Sequence, residues 1–337
     1  MNGARKFCFL LVAFGAIVIF SSVSETCFAD SVVIGFITDG SALDDDSFNC
    51  MTVVGLRRLQ SDYDVKVQVR CGGFTAQSFA KGLNSLLDKE IKIIVINAST
   101  HRDLIVAAVK THSDVIFILN GVAVTGYPNV SSLHFGQRMG SCLVGALCAW
   151  QSKTGKIGFI GGNESPVILE FLCGFKQGVK LAGEKVDVDV KFVRKGLSVT
   201  GFEDPHHGNE LAKAMYASGV DIIYSVAGLS GNGIIYAAQE SGNYVVGVDS
   251  NQDYMAKGNV LTSMMKLLDV AVYQEVVSVL KRKFTPGVKE YDLLNGGVAL
   301  TDMKFSRHLI SKKIRDELKI MEQDLVSGKI VFDCSGI

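Results

Sequence analysis

The residues with most chemical capacity lie close together near the start of the chain. An apolar run, Val32-Val33-Ile34-Gly35-Phe36-Ile37, ends in Thr38-Asp39-Gly40. Asp44-Asp45-Asp46-Ser47-Phe48-Asn49 follows directly. A strand therefore opens onto a loop holding carboxylates, a hydroxyl, an amide and a flat aromatic face. Together these groups can hold a small polar ring compound. The same residues also read as an acidic, solvated helix start, with Asp as N-cap and Phe48 in the core. The chemistry at other strand ends has to decide between the two.

Three later segments repeat the pattern of a strand running into polar or glycine-rich chain. Ala227-Gly228-Leu229-Ser230-Gly231-Asn232-Gly233 follows an apolar run. Glycines there let a ligand approach the backbone, but the order is G-x-x-G-x-G and no Walker lysine follows. A non-phosphate ligand loop or a plain turn fits better than a nucleotide-phosphate cradle. Gly247-Val248-Asp249 ends a strand with a carboxylate, suited either to adjacent sugar hydroxyls or to a helix N-cap. In Leu261-Thr262-Ser263-Met264-Met265-Lys266 a lone lysine closes an apolar strand, and beside ligand carboxylates it would donate to a ribose or ring oxygen. Phe202 sits in a loop before a helix, placed either for stacking or for the core. His206 and His207 are adjacent and lack metal-helix spacing. HExxH, GxSxG and an evident Cys/His pairing are absent from the sequence, so binding is favoured over turnover.

The elements that position these residues are those of an α/β protein. The chain has 337 residues, 34 basic and 34 acidic, with 48% hydrophobic content. That supports a large core and carries no basic stripe for nucleic acid. Residues 1–29 read as a secretory signal: Arg5 and Lys6 precede an apolar segment from Phe7 to Phe20, too short to favour a membrane-spanning helix. Cleavage falls before Asp30, or before Cys27 as the lipid-modified first residue of a lipoprotein. The eight cysteines include no CxxC and no metal spacing, and most sit in apolar runs as small core residues. Strands are expected at Val32–Ile37, Val65–Val69, Ile91–Ile96, Val115–Leu119, Ser132–Phe135, Lys156–Ile160, Val188–Val193, Val220–Val226, Tyr244–Val248 and Val260–Met264. Helical patterns such as Gln77–Leu87, Arg102–Thr111 and Val167–Ala182 lie between them, which indicates parallel sheets covered on both faces. Val33–Ile37 with Gly40 is echoed by Ile157–Ile160 with Gly161 and Gly162, as if two similar halves stood in tandem.

Taken in order, the motifs resemble the basic membrane lipoprotein family of ABC-transporter substrate-binding proteins, whose best-understood members are purine nucleoside receptors. The resemblance rests on Asp44-Asp45-x-Ser47-Phe48-Asn49, Gly136-Gln137-x-x-Gly140, Gly158-Phe159-Ile160-Gly161-Gly162, Phe171-x-x-Gly174-Phe175, Phe202-x-Asp204-Pro205, Val226-Ala227-Gly228-x-x-Gly231-x-Gly233, Gly247-Val248-Asp249 and Leu261-Thr262-Ser263-Met264-x-Lys266. It implies a type I periplasmic-binding-protein fold: two Rossmann-like lobes joined by three crossover segments, near Ser131–Phe135, Leu261–Ser263 and Asp292–Gly296. The N-terminal lobe would comprise residues 30–132 plus 263–293, and the C-terminal lobe 133–262 plus 294–337. It further implies capture of a nucleoside for an ABC permease and ATPase, without enzymatic activity, cofactor or metal. Phe48 and Phe202 would sandwich the base. Asp45, Asp249, Lys266 and the Gly228 backbone would hold the ribose, with Asn49 beside them.

One position departs from that family. Asn120, in Ile118-Leu119-Asn120-Gly121, stands where the family usually has an acid. A carboxylate only accepts from a base N–H, whereas an amide accepts and donates. Asn120 is therefore expected to read the base edge and to shift base preference.

Overall fold

A computed structural model of the chain describes residues 31–40 and 42–335. The expected signal segment and Cys27 lie outside the described residues. Among the described residues, no helix is long and apolar enough to cross a membrane.

Two six-stranded sheets form the frame. The first contains β1 (Val32–Thr38), β2 (Val65–Cys71), β3 (Ile93–Asn97), β4 (Ile116–Asn120), β5 (Val130–Phe135) and β11 (Gly287–Tyr291), in the order β11-β5-β4-β3-β1-β2. All of its pairings are parallel. The second contains β6 (Lys156–Gly161), β7 (Asp187–Phe192), β8 (Ile222–Val226), β9 (Tyr244–Asp249), β10 (Val260–Lys266) and β12 (Val298–Leu300), in the order β12-β10-β9-β8-β6-β7. Only β12 runs antiparallel, against β10. The inner strands read as continuous buried runs because helices cover both faces. β1 and β6 each lie between strands that follow them in the chain. At such a switch point the loops after neighbouring strands diverge and leave a crevice at the carboxyl ends.

The ten strands expected from apolar runs are present, with ends shifted by up to two residues. β11 and β12 were not expected. Gly287–Tyr291 alternates half-buried and exposed positions at a sheet edge, and Val298–Leu300 is too short to carry a pattern. The chain passes between sheets three times: after β5, after β10, and between β11 and β12. The first passage enters α4 (Gln137–Gln151), which packs on α5 (Pro166–Ala182) of the second lobe. The second enters α8 (Leu268–Leu280), which packs on α1 (Phe48–Asp62) of the first. The sheet changes thus fall directly after Phe135, after Lys266 and between Tyr291 and Val298.

Helices α4 and α5 cross at backbone contact distance. A Cβ at Gly178 would stand 1.9 Å from the Cys142 carbonyl oxygen, and one at Gly145 2.0 Å from that of Phe175. A disulfide joins Cys173 on α5 to Cys334 near the C-terminus, while Cys142 and Cys148 are buried free thiols. The lobes also meet through His134 on β5. Its Nδ1 lies 2.6 Å from Glu290 on β11, and its Nε2 3.8 Å from Glu170 on α5. Arg138 on α4 pairs with the same Glu170 at 3.0 Å. Glu170 foremost, with Glu290 beside it, pushes the His134 pKa from 6.5 up to about 9.

Two outcomes follow from these contacts. Gly178→Ala gains about 0.5–1 kcal/mol of helix propensity, but the methyl meets backbone that cannot move aside. Denaturant unfolding is expected to show a net loss of roughly 1–3 kcal/mol from overpacking. The His134 pairing stabilises because the folded pKa lies above the unfolded one. Its contribution is complete below pH 6.5 and is lost as pH rises through about 9. The difference in unfolding midpoint between wild type and His134→Gln should shrink across that window; a constant difference would refute the assignment.

Candidate functional site

On the first lobe the site begins where β1 ends. Asp39 is buried there, and one of its carboxylate oxygens accepts from the Ser99 amide at 2.8 Å and the Ser99 hydroxyl at 3.0 Å. Burial nevertheless raises its pKa. Asp45 is 2% exposed and accepts backbone N–H groups from Ser47 (2.9 Å), Asn49 (3.0 Å) and Cys50 (2.9 Å). It therefore satisfies amides that open α1, a task the N-cap residue Ser47 does not perform with its own side chain. Burial lifts the Asp45 pKa to about 6 despite those three donors. Asp45 also lines the cleft, so one carboxylate both serves the start of α1, from a position before the N-cap, and borders the free space. The first two residues of α1, Phe48 and Asn49, turn toward the same cleft.

The second lobe supplies the opposite wall. Phe202 ends a short 3₁₀ turn, Val199–Phe202, and its ring lies over Gly162, where a Cβ would come within 2.3 Å. Gly228 follows β8 at φ 54° with its backbone beside Phe202. The other glycines of that run serve packing: a Cβ at Gly233 would stand 1.8 Å from the Pro205 carbonyl oxygen. Asp249 closes β9 in the left-handed region at φ 64°. Its Oδ2 accepts from the Ser47 hydroxyl of the other lobe at 2.7 Å. Its Oδ1 is buried without a hydrogen-bond partner, 3.8 Å from the Lys266 ammonium. Lys266 is 3% exposed, with Nζ 5.0, 5.1 and 5.3 Å from the ring centres of Phe48, Phe135 and Phe171. Burial depresses its pKa, opposed by Asp249 and Glu170. The rings offset part of the cost of burying the cation.

Further bonds hold the lobes together at the cleft margin. The Asp46 carbonyl accepts from the Ser250 hydroxyl and, at 3.1 Å, from the Gln252 amide. The Asp46 carboxylate accepts from the Tyr254 hydroxyl at 3.0 Å. Between the walls lies about 570 Å³ of free space including the mouth, within the range of small-molecule sites.

Of the residues singled out from sequence, Asp45, Phe48, Asn49, Phe202, Gly228, Asp249 and Lys266 line this one cleft. Asn120 does not line it. That side chain is fully buried at the end of β4 and donates to Asn97, while the next residue, Gly121, reaches the cleft. Asp39, Ser99, Val167, Ile168, Phe171 and Val226 also line it, unanticipated as site residues. Asp39 and Ser99 carried a signal, being polar at strand ends. Val167, Ile168 and Phe171 carried none, because a helix face over a cleft has the composition of a core helix. His206 and His207 pair with Glu210 on the surface, and no cluster among the described residues could hold a metal. Two ring walls, buried carboxylates and a caged ammonium can grip a planar ring that carries adjacent hydroxyls.

Comparison with known proteins agrees with this architecture. Residues 31–330 match the family described as ABC transporter substrate-binding protein PnrA-like. Basic membrane protein D of Borreliella burgdorferi (strain JD1) is 30% identical over 298 residues, covering 87% of this chain and 81% of the relative. The ABC transporter nucleoside-binding protein BmpA of Lactococcus lactis subsp. cremoris (strain MG1363) is 28% identical over 318 residues, covering 87% of each. An ABC transporter solute-binding protein from Aeropyrum pernix K1 superposes with TM-score 0.82 at 22% identity, over 91% of this chain and 94% of that one. The fold is therefore the type I periplasmic-binding-protein fold, and the matched family, the Lactococcus relative and the Aeropyrum structure are all described as binding proteins. The chain belongs to the PnrA-like family of ABC transporter substrate-binding proteins.

Proposed function

We propose that this protein captures a nucleoside, preferentially a purine nucleoside, in the cleft between its lobes and delivers it to an ABC permease driven by its ATPase. The observation that carries the reading is the pairing of the unpartnered Asp249 Oδ1 with the caged Lys266 ammonium, 3.8 Å apart, between aromatic walls. A vicinal diol can donate to that carboxylate and accept from that ammonium at once, and charge-assisted bonds in a dry cleft are strong. Phe48 and Phe202 offer faces for the base, Asp45 has an oxygen with acceptor capacity left, and Asn49 adds an amide. A Lactococcus relative bears the name nucleoside-binding protein, which supports the same ligand class. Ligand that touches both walls stabilises the closed state alone, so closure follows from differential affinity. Export by residues 1–29, with either Cys27 lipid-anchored or Asp30 as the first mature residue, completes the proposal.

Mass spectrometry of small molecules released by denaturing the purified protein tests the ligand class. Intact nucleoside is expected, and a sugar or amino acid in its place would overturn the reading. Calorimetry tests the parts. Phe202→Ala should weaken nucleoside binding by roughly 1–3 kcal/mol, the usual worth of a base–aromatic stack. Removing the ribose 2′ and 3′ hydroxyls should cost the wild type at least about tenfold in affinity, or ~1.4 kcal/mol. That penalty should largely vanish in Asp249→Asn; if it persists there, Asp249 does not hold the diol.

A further inference from the structure

Behind the cleft, three buried amides form a directed chain. The parallel register of β3 and β4 sets Asn97 beside Asn120. Asn120 Nδ2 donates to Asn97 Oδ1 at 2.7 Å. Asn97 Nδ2 donates to Asn49 Oδ1 at 3.0 Å and to Thr52 Oγ1 at 2.9 Å. Asn49 Nδ2 donates to the Ala42 carbonyl at 3.1 Å. All three residues are at most 2% exposed, and Asn49 alone lines the cleft.

The order of donors and acceptors in this chain is not free. The Ala42 carbonyl only accepts, so Asn49 must present its Nδ2 there and its Oδ1 to Asn97. Asn97 must then give Nδ2 to Asn49, which leaves its Oδ1 requiring a donor. Asn120 supplies the shorter bond, at 2.7 Å against 3.3 Å from the Thr52 hydroxyl, and Thr52 Oγ1 is itself an acceptor for Asn97 Nδ2. We infer that Asn120 is a positioning residue that, through Asn97, locks Asn49 with an N–H toward the cleft, so that the protein selects a ligand whose ring edge places an acceptor there. This rests on the nucleoside reading and adds the polarity of the contact. An ionised carboxylate at 120 cannot donate. It would draw Asn97 Nδ2 to itself and turn Asn97 Oδ1 toward Asn49, whose own Oδ1 faces it. Asn49 would then lose its lock or turn its oxygen against the Ala42 carbonyl.

The test is calorimetry with a purine nucleoside and its 1-deaza, 3-deaza and 7-deaza analogues, each with one ring acceptor replaced by C–H. Wild type should bind one analogue at least about tenfold more weakly than the parent. In Asn120→Asp that ratio should fall to within about threefold. The penalty for removing the ribose hydroxyls, read at Asp249, should stay unchanged, which a general loss of packing would not produce. Asn97→Asp turns Asn49 over directly and should collapse the same ratio, which keeps the inference testable if Asn120→Asp does not fold. Parent nucleoside bound with no deaza penalty in wild type, or an undiminished penalty in the folded variants, would overturn the relay. Failure of every nucleoside to bind would instead overturn the nucleoside reading, and the relay with it.

Discussion

A buried carboxylate shared between the lobes is the constraint on which the rest of the site depends. Asp249 ends β9 of the second sheet, yet one of its oxygens takes the Ser47 hydroxyl from the first lobe, and the other faces Lys266. A charge so far from water persists only when it is paired or hydrogen-bonded. Of its two partners, Ser47 comes from the other lobe, so Asp249 keeps that hydrogen bond only with the lobes together. The aromatic cage around Lys266 meets the same demand for the opposite charge, drawing Phe48 from one lobe and Phe171 from the other.

That demand explains why irregular backbone gathers at this edge. Asp46 and Asp249 both hold φ values in the left-handed region, at 49° and 64°. Such conformations cost free energy in non-glycine residues and persist when surrounding contacts over-determine them. Here the contacts are mutual: the Asp46 carbonyl receives Ser250 and Gln252, while Asp249 receives Ser47. Gly162 serves the opposite wall by leaving room for the Phe202 ring. Aromatic faces, strained acids and a close backbone approach thus arise from one packing problem.

Much of the frame was legible in the sequence. Apolar runs without alternation marked parallel strands, and the carboxylates or glycines after Ile37, Val226 and Val248 marked strand ends that border the cleft. Edge strands β11 and β12 were not legible, because half-exposed or three-residue segments carry little periodicity. Asp45 shows how two readings of one residue converge. Three backbone N–H groups at the start of α1 need an acceptor, and the carboxylate that supplies it also reaches the cleft.

By itself the sequence determined the residue types and the strand ends at which they stand: Phe48, Asn49, Phe202, Asp249 and Lys266 are placed by local pattern, since a strand's length and its following loop are set by nearby residues. Only the tertiary structure decided which of these groups meet, and in what hydrogen-bond sense. Asn120 reads from sequence as a residue facing the ligand. Sheet register instead sets it against Asn97, with its amide turned inward. The direction of a buried amide depends on every partner in its chain, and those partners come from α1, β3, β4 and the Ala42 carbonyl. No local pattern carries that information.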